Sequence, residues 1–273
     1  VASTFVKNAV KNGAKLIVAD PRRHKLADYA DIYAQIKVGS DVAFINGLMH
    51  ILIAEDKYDK EFVAKNCVNF EELKAKVMEY TPEKASEISG VSVETMHKIA
   101  DLMWEIRPSM LCYTLGITEH TCGKNNVMST ANLQMLLGNM GKEFGGVNPL
   151  RGQNNVQGAC DMAALPNVYH GYYNVDDPAS KAKFEKHWGV EGLSDKVGIM
   201  VPQMLDGLLD KKVRALYIFG ENIANTEPDI AHVERCLESA EFLVCQDIFP
   251  TETTRFADVI LPAAAWSEDE GTF

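Results

Sequence analysis

One arginine and four side-chain amides follow a proline within a short stretch, Asn148-Pro149-Leu150-Arg151-Gly152-Gln153-Asn154-Asn155-Val156-Gln157-Gly158. The amides of Gln153, Asn154, Asn155 and Gln157 both donate and accept, and the Arg151 guanidinium presents a fixed fork of N–H donors matched to a planar carboxylate. Residues 148–166 show neither helical nor strand periodicity, so the stretch reads as an irregular loop lined for hydrogen bonding. A polar cofactor and a small anion both fit that lining, and so does a plain surface turn rich in Asn and Gly.

Further polar groups stand where apolar runs end. Lys15-Leu16-Ile17-Val18-Ala19 reads as a parallel strand buried on both faces, and it ends in Asp20-Pro21-Arg22. Residues 213–219 read as a buried strand leading to Gly220-Glu221-Asn222 and Thr226, and residues 242–245 as the next strand, tipped by Gln246-Asp247. In open α/β sheets ligands bind beyond the carboxyl ends of the strands, which is where Asp20 and Arg22 would stand. No G-x-G-x-x-G fingerprint precedes them, so a nicotinamide cofactor is not indicated. His120, in the polar tip 114–121 with Gly116, has the chemistry of a general base, although a loop histidine more often serves as a hydrogen-bonding or surface residue.

The elements that position these tips follow from periodicity and caps. Apolar spacing over residues 1–12, stopped by Gly13, predicts an amphipathic helix. Residues 31–37 suggest a short strand. Gly39-Ser40-Asp41 caps a helix over 42–54, and weaker helical patterns cover 60–66 and 70–79. Ser92 opens a helix to Arg107, residues 110–113 read as a strand and 125–137 as a helix, and 138–146 lead into the central loop. After an irregular stretch with Tyr169, Tyr172 and Tyr173, helices are expected over 178–188, 202–210 and 228–239. The resulting fold class is α/β, two Rossmann-like domains with mainly parallel sheets, divided inside the central loop as 1–153 and 154–273.

An internal echo links the two halves. Leu16-Ile17-Val18-Ala19-Asp20 leads to Tyr29-Ala30-Asp31-Ile32, and Leu243-Val244-Cys245-Gln246-Asp247 leads to Phe256-Ala257-Asp258-Val259, every position displaced by the same 227 residues. Chance similarity of two α/β units is the alternative to duplication, and duplication suits a cofactor present in two copies.

Composition narrows the function classes. The 273 residues are 47% hydrophobic, enough for one large core or two modest ones, and no apolar run reaches the ~18 residues of a membrane span. A net charge of −11 disfavours a broad nucleic-acid surface. The six cysteines, at 67, 112, 122, 160, 236 and 245, show no C-x-x-C and no paired Cys/His ligand spacing. They read as reduced, mostly buried thiols, with no zinc or iron–sulfur site encoded. Beginning with Val1 inside a helical pattern, the chain reads as a piece of something larger.

The stretch from Asn148 to Met162 resembles the active-site loop of formate dehydrogenase alpha subunits in the molybdenum- or tungsten-dependent, bis-molybdopterin guanine dinucleotide (bis-MGD) oxidoreductase family. The resemblance implies that Arg151 sits beside the metal and holds formate, and that Gln153 touches a pterin. Val18-Ala19-Asp20-Pro21-Arg22, Gly220-Glu221-Asn222 with Thr226, and Gln246-Asp247-Ile248-Phe249 are similar to the family's guanine-dinucleotide contacts, and Asp41 and Gly116 are counted with them. An aspartate can accept from guanine N1 and N2 together, and Arg22 can neutralise pyrophosphate. Four positions depart from the family pattern. Ile223 and His170 stand where proline is usual, Ala163 where glycine is common, and Ala263 where a hydroxyl residue is frequent.

The implied parent oxidises formate to carbon dioxide and passes electrons to a 4Fe–4S cluster and onward to partner electron-transfer subunits. The family's cluster cysteines, its cysteine or selenocysteine metal ligand and its closing C-terminal domain do not fall within these residues. The piece alone is therefore expected to be inactive and to bind no metal or cofactor. No contact with nucleic acid or membrane is expected, and the setting is cytoplasmic unless the parent is exported folded. Two other readings fit the same residues: a non-catalytic scaffold or electron-transfer homologue, and a guanine-nucleotide-binding module without a redox role.

Overall fold

Phe44-Ile45-Asn46-Gly47-Leu48-Met49-His50-Ile51-Leu52-Ile53 is apolar on nearly every side of a helix, which suits a position enclosed by other helices. In the computed structural model, which describes residues 2–271, this segment is the axis of the first of two compact units, Val1–Gly152 and Gln153–Phe273.

In the first unit, α1 (Ala2–Lys11) leads to β1 (Ile17–Ala19) and β2 (Ile32–Ala34), then to α2 (Asp41–Ala54), α3 (Lys60–Asn66), α4 (Phe70–Met78), α5 (Pro82–Ser89) and α6 (Val93–Glu105). It closes with β3 (Met110–Tyr113), α7 (Leu115–Thr118), α8 (Gly123–Leu136) and β4 (Gly146–Pro149). Helix α2 is packed by α4, α5, α6 and α8, and Met49, Leu52, Met96, Ile99, Leu133 and Leu137 are fully buried around it. Gly47 permits the close approach: a Cβ there would lie 2.5 Å from that of Ala85 on α5. Ser92 caps α6 by accepting from Thr95 N at 3.1 Å, which satisfies one N–H that the first helical turn leaves open.

The second unit contains α9 (Val156–Asp161), β5 (Val168–Tyr169), β6 (Tyr173–Asn174), α10 (Pro178–Trp188), α11 (Val201–Leu209), β7 (Ala215–Phe219), α12 (Ile223–Thr226), α13 (Ile230–Glu238), β8 (Phe242–Asp247) and β9 (Val259–Pro262). Its sheet runs β7-β8-β9 with both pairings parallel. Leu205, Leu208, Ile218, Val233, Leu237 and Leu243 form the core beneath it. Tyr169 stacks on Phe184 with centroids 4.8 Å apart, so that member of the tyrosine group is a packing residue.

The class is mixed α/β with short, mainly parallel strands. β1 pairs with β2 and β3 with β4, both in parallel, and β5 with β6 antiparallel. Several local expectations are corrected. Of β1 only Val18 is buried, and of β7 only Ile218. The residues flanking Val18 are intermediate or exposed, so β1 is not enclosed on both faces, and β7 is mostly exposed rather than buried. Helix α5 and strand β4 were not expected, and the central loop is partly regular, since β4 runs to Pro149 and α9 occupies Val156–Asp161. Only Cys236 and Cys245 are buried, while Cys112 is exposed and the other three are intermediate. The expected first helix includes Val1, which lies outside the described residues. Among the described residues no helix is long and apolar enough to cross a membrane.

Candidate functional site

Parallel pairing sends the ends of neighbouring strands the same way, so the loops beyond them share one edge. Tyr113 of β3 stands opposite Pro149 of β4, and Leu150 N donates to Tyr113 O at 2.7 Å, extending the pair by one residue. Arg151 therefore leaves the same sheet edge as the turn Thr114-Leu115-Gly116, and both Arg151 and Gly116 are exposed. His120 Nε2 lies 2.8 Å from Gly116 O, so the histidine braces that turn.

At the end of β1, Asp20 builds its own turn. Its Oδ1 accepts from Arg22 N at 2.7 Å, its carbonyl accepts from the Tyr33 hydroxyl at 3.0 Å, and Pro21 O accepts from Gln35 Nε2 at 3.0 Å. One carboxylate oxygen thus organises the backbone while a carboxylate carries lone pairs for further donors. The Arg22 side chain is exposed. Asp41 has a different setting. It is the first residue of α2 and only 6% exposed, where the positive end of the helix dipole favours a carboxylate.

The second unit repeats the arrangement at the ends of β7 and β8. Phe219 pairs with Gln246, and Gly220, at φ +65°, donates its N–H to Gln246 O at 2.8 Å. Glu221 Oε1 accepts from Thr226 Oγ1 at 2.8 Å. Gln246 Oε1 accepts from the Tyr217 hydroxyl, and Asp247 Oδ1 accepts from Ile248 N at 2.7 Å. Five of the sequence-selected residues are therefore gathered at one sheet edge.

Asn222 does something the sequence did not disclose. Its Nδ2 donates to Glu252 Oε2 at 2.7 Å, while its Oδ1 accepts from both the N–H and the hydroxyl of Thr253, at 3.2 and 2.8 Å. Thr253, 0% exposed, in turn accepts from Ala224 N at 3.1 Å. The amide staples the β7 loop to the turn after β8, and its hydrogen bond holds the Glu252 carboxyl below the usual range. Thr253 and Glu252 lie in a Thr/Glu-rich turn with no motif of their own, so only the fold identifies them.

Gln153 opens the second unit and is exposed. Downstream, Gln157 Nε2 donates to Asp161 Oδ1 at 2.9 Å and to the Tyr172 hydroxyl at 3.0 Å. Helix α9 ends in a Schellman pattern, with Ala164 N donating to Ala159 O and Ala163 N to Cys160 O. Ala163 takes the left-handed position at φ +68°, which explains physically why glycine suits this site.

One arrangement goes against the expectation of no Cys/His ligand spacing. His232 and Cys236, four residues apart on α13, meet Asp206 of α11 with donor atoms within 4.8 Å of one another.

The comparisons agree with one another. A family model described as molybdopterin oxidoreductase matches residues 1–273. The chain is 47% identical over 268 residues to the F420-dependent formate dehydrogenase subunit alpha of Methanocaldococcus jannaschii, covering 98% of this chain and 39% of that protein. It is 43% identical over 273 residues to formate dehydrogenase H of Escherichia coli, covering 100% of this chain and 38% of that one. Acetylene hydratase from Pelobacter acetylenicus shares the fold, with a TM-score of 0.73 over 96% of this chain and 38% of that chain, at 24% identity. The chain thus spans under two fifths of the length of these relatives, and it belongs to the molybdopterin oxidoreductase family.

Proposed function

We propose that these residues are the central part of a formate dehydrogenase catalytic subunit, in which each unit holds the guanine-dinucleotide portion of one pterin cofactor and Arg151 anchors formate. The observation that carries this reading is the placement of Arg151. It lies two residues beyond β4, at the carboxyl edge of a parallel pair, in a chain 43–47% identical to formate dehydrogenase subunits.

The residues present fit a dinucleotide. A Cβ added at Gly116, Gly152 or Gly220 would meet nothing within 4 Å, so the backbone beyond β3, β4 and β7 is open to close approach by a pyrophosphate. Asp20 and Asp247, which correspond in the internal repeat, would accept from guanine N1 and N2. Arg22 would neutralise phosphate, and Glu221, Gln246 and Thr226 would complete the polar lining. Asp41 and Gly116 would serve the first unit's dinucleotide, and Asn222 would act by holding its loop in place. Gln153 would touch a pterin.

When bound, the molybdenum or tungsten bis-MGD group supplies the two-electron acceptor that conversion of formate to carbon dioxide requires. Arg151 would bind the formate carboxylate through paired N–H donors, orient its C–H, and stabilise charge by position rather than by proton transfer. A 4Fe–4S cluster outside these residues and partner electron-transfer subunits would receive the electrons, in a cytoplasmic parent.

Formate-dependent dye reduction by the full-length parent, with molybdenum and tungsten measured on the same sample, tests the reading. Turnover in proportion to metal supports it. Metal-loaded parent protein that leaves formate unchanged contradicts it.

A further inference from the structure

Away from the strand tips, α11 and α13 bring three different metal-binding side chains to one point. Asp206 Oδ1 lies 2.8 Å from His232 Nε2, and Cys236 Sγ lies 3.5 Å from the same nitrogen. The local sequence accounts for this. Residues four apart on a helix share a face, so His232 and Cys236 point the same way from α13, and α11 packs against α13.

The His232–Cys236 distance matches a tetrahedral centre. With Zn–N of about 2.0–2.1 Å and Zn–S of about 2.3 Å, a tetrahedral angle separates nitrogen and sulfur by about 3.5 Å. The Asp206–His232 separation is that of a hydrogen bond and must open to about 3.3 Å to admit an ion. Asp206 can make that adjustment, because its side chain is 68% exposed. It also lines a surface groove with Gln203 and Asp210.

We propose that Asp206, His232 and Cys236 form a binding site for a thiophilic divalent transition metal of the Zn²⁺ type, with water as the fourth ligand. Binding exchanges the Cys236 thiol proton for the ion, and His232 presents a neutral Nε2 lone pair while its proton resides on Nδ1. Three mixed ligands and an open position are the pattern of a catalytic or exchangeable site rather than a closed structural one.

Titration of the full-length parent with Co²⁺, read as a difference spectrum against the untreated protein, tests this. The expected result is one equivalent bound with the visible absorption of a tetrahedral ion and a sulfur-to-cobalt charge-transfer band, both displaced by Zn²⁺. Cys236→Ala should remove the charge-transfer band. Asp206→Asn, at an exposed position that leaves the packing intact, should weaken binding at least tenfold and so decides the matter even if the Cys236 variant fails to fold. Absence of one-equivalent binding overturns the proposal, as does a Co²⁺ affinity unchanged by Asp206→Asn or a thiolate band that survives in Cys236→Ala.

Discussion

Asp258 and Leu243 exchange two hydrogen bonds, Asp258 N to Leu243 O at 2.8 Å and Leu243 N to Asp258 Oδ2 at 2.8 Å. In the other unit Asp31 and Leu16 make the same exchange, at 2.8 and 2.9 Å. The strand registers coincide as well, since Ile17 pairs with Ile32 and Val244 with Val259. A 3-10 turn precedes each second strand, Lys25–Tyr29 in one and Thr253–Phe256 in the other. The 227-residue echo is therefore a repeated hydrogen-bonding unit, one per dinucleotide in the proposed function.

The two aspartates differ in one neighbour. Lys15 donates to Asp31 at 2.8 Å, whereas the position corresponding to Lys15 is Phe242. The Lys15 hydrogen bond, followed by that of Leu16 N, holds the Asp31 carboxyl below its ordinary value of 3.8. A depressed folded-state value stabilises the fold above the unfolded value, and that contribution is lost as pH falls through the folded one. The stability difference between wild type and Asp31→Asn, measured by urea unfolding, should be constant from neutral pH to about pH 5 and shrink below pH 4. A difference that grows on acidification would contradict this.

Ala163→Gly should stabilise the second unit by about 1 kcal/mol, because the left-handed conformation disfavours a Cβ by more than glycine loses in chain entropy. The urea midpoint should rise with an unchanged slope. A lowered midpoint would mean that the Ala163 methyl contributes packing that outweighs the strain.

Asn222→Ala leaves the N–H and hydroxyl of fully buried Thr253 without their acceptor, a loss of about 2–3 kcal/mol. Thermal unfolding of the variant should show it. If stability is unchanged and only guanine-nucleotide affinity falls, Asn222 is a ligand-contacting residue and not a staple.

Helices with clear caps or dense apolar spacing were legible from residue types. Ser92 marks the start of α6, and the apolar run from Phe44 to Ile53 marks α2. Helix α5 was missed because it is mostly polar, although Thr81-Pro82 at its start and Gly90 at its end are cap signals. Helix α9 was hidden because left-handed residues, Asn155 and Ala163, bracket it at both ends. Strand tips were locatable because apolar runs end there. The Asn222–Thr253 staple and the Asp206–His232 contact join residues 31 and 26 positions apart, a proximity that only the packing of helices and strands creates.

The proposal places the metal ligand outside residues 1–273, so this chain expressed alone should carry neither molybdenum nor tungsten and should not reduce dye with formate. Elemental analysis of the purified chain checks this. Stoichiometric metal with formate-dependent turnover would mean that these residues suffice for the active centre.

The most direct measurement is formate kcat/KM of the Arg151→Lys parent, expressed per bound metal. A point-charge ammonium cannot reproduce the paired donors of a guanidinium, so the account predicts a fall on the order of 10²-fold or more, roughly 3 kcal/mol of transition-state stabilisation. Gln153→Ala, as a pterin contact, should instead lower metal content before it affects turnover per metal. Wild-type kcat/KM for Arg151→Lys at full metal occupancy would contradict the assignment of Arg151 as the formate anchor.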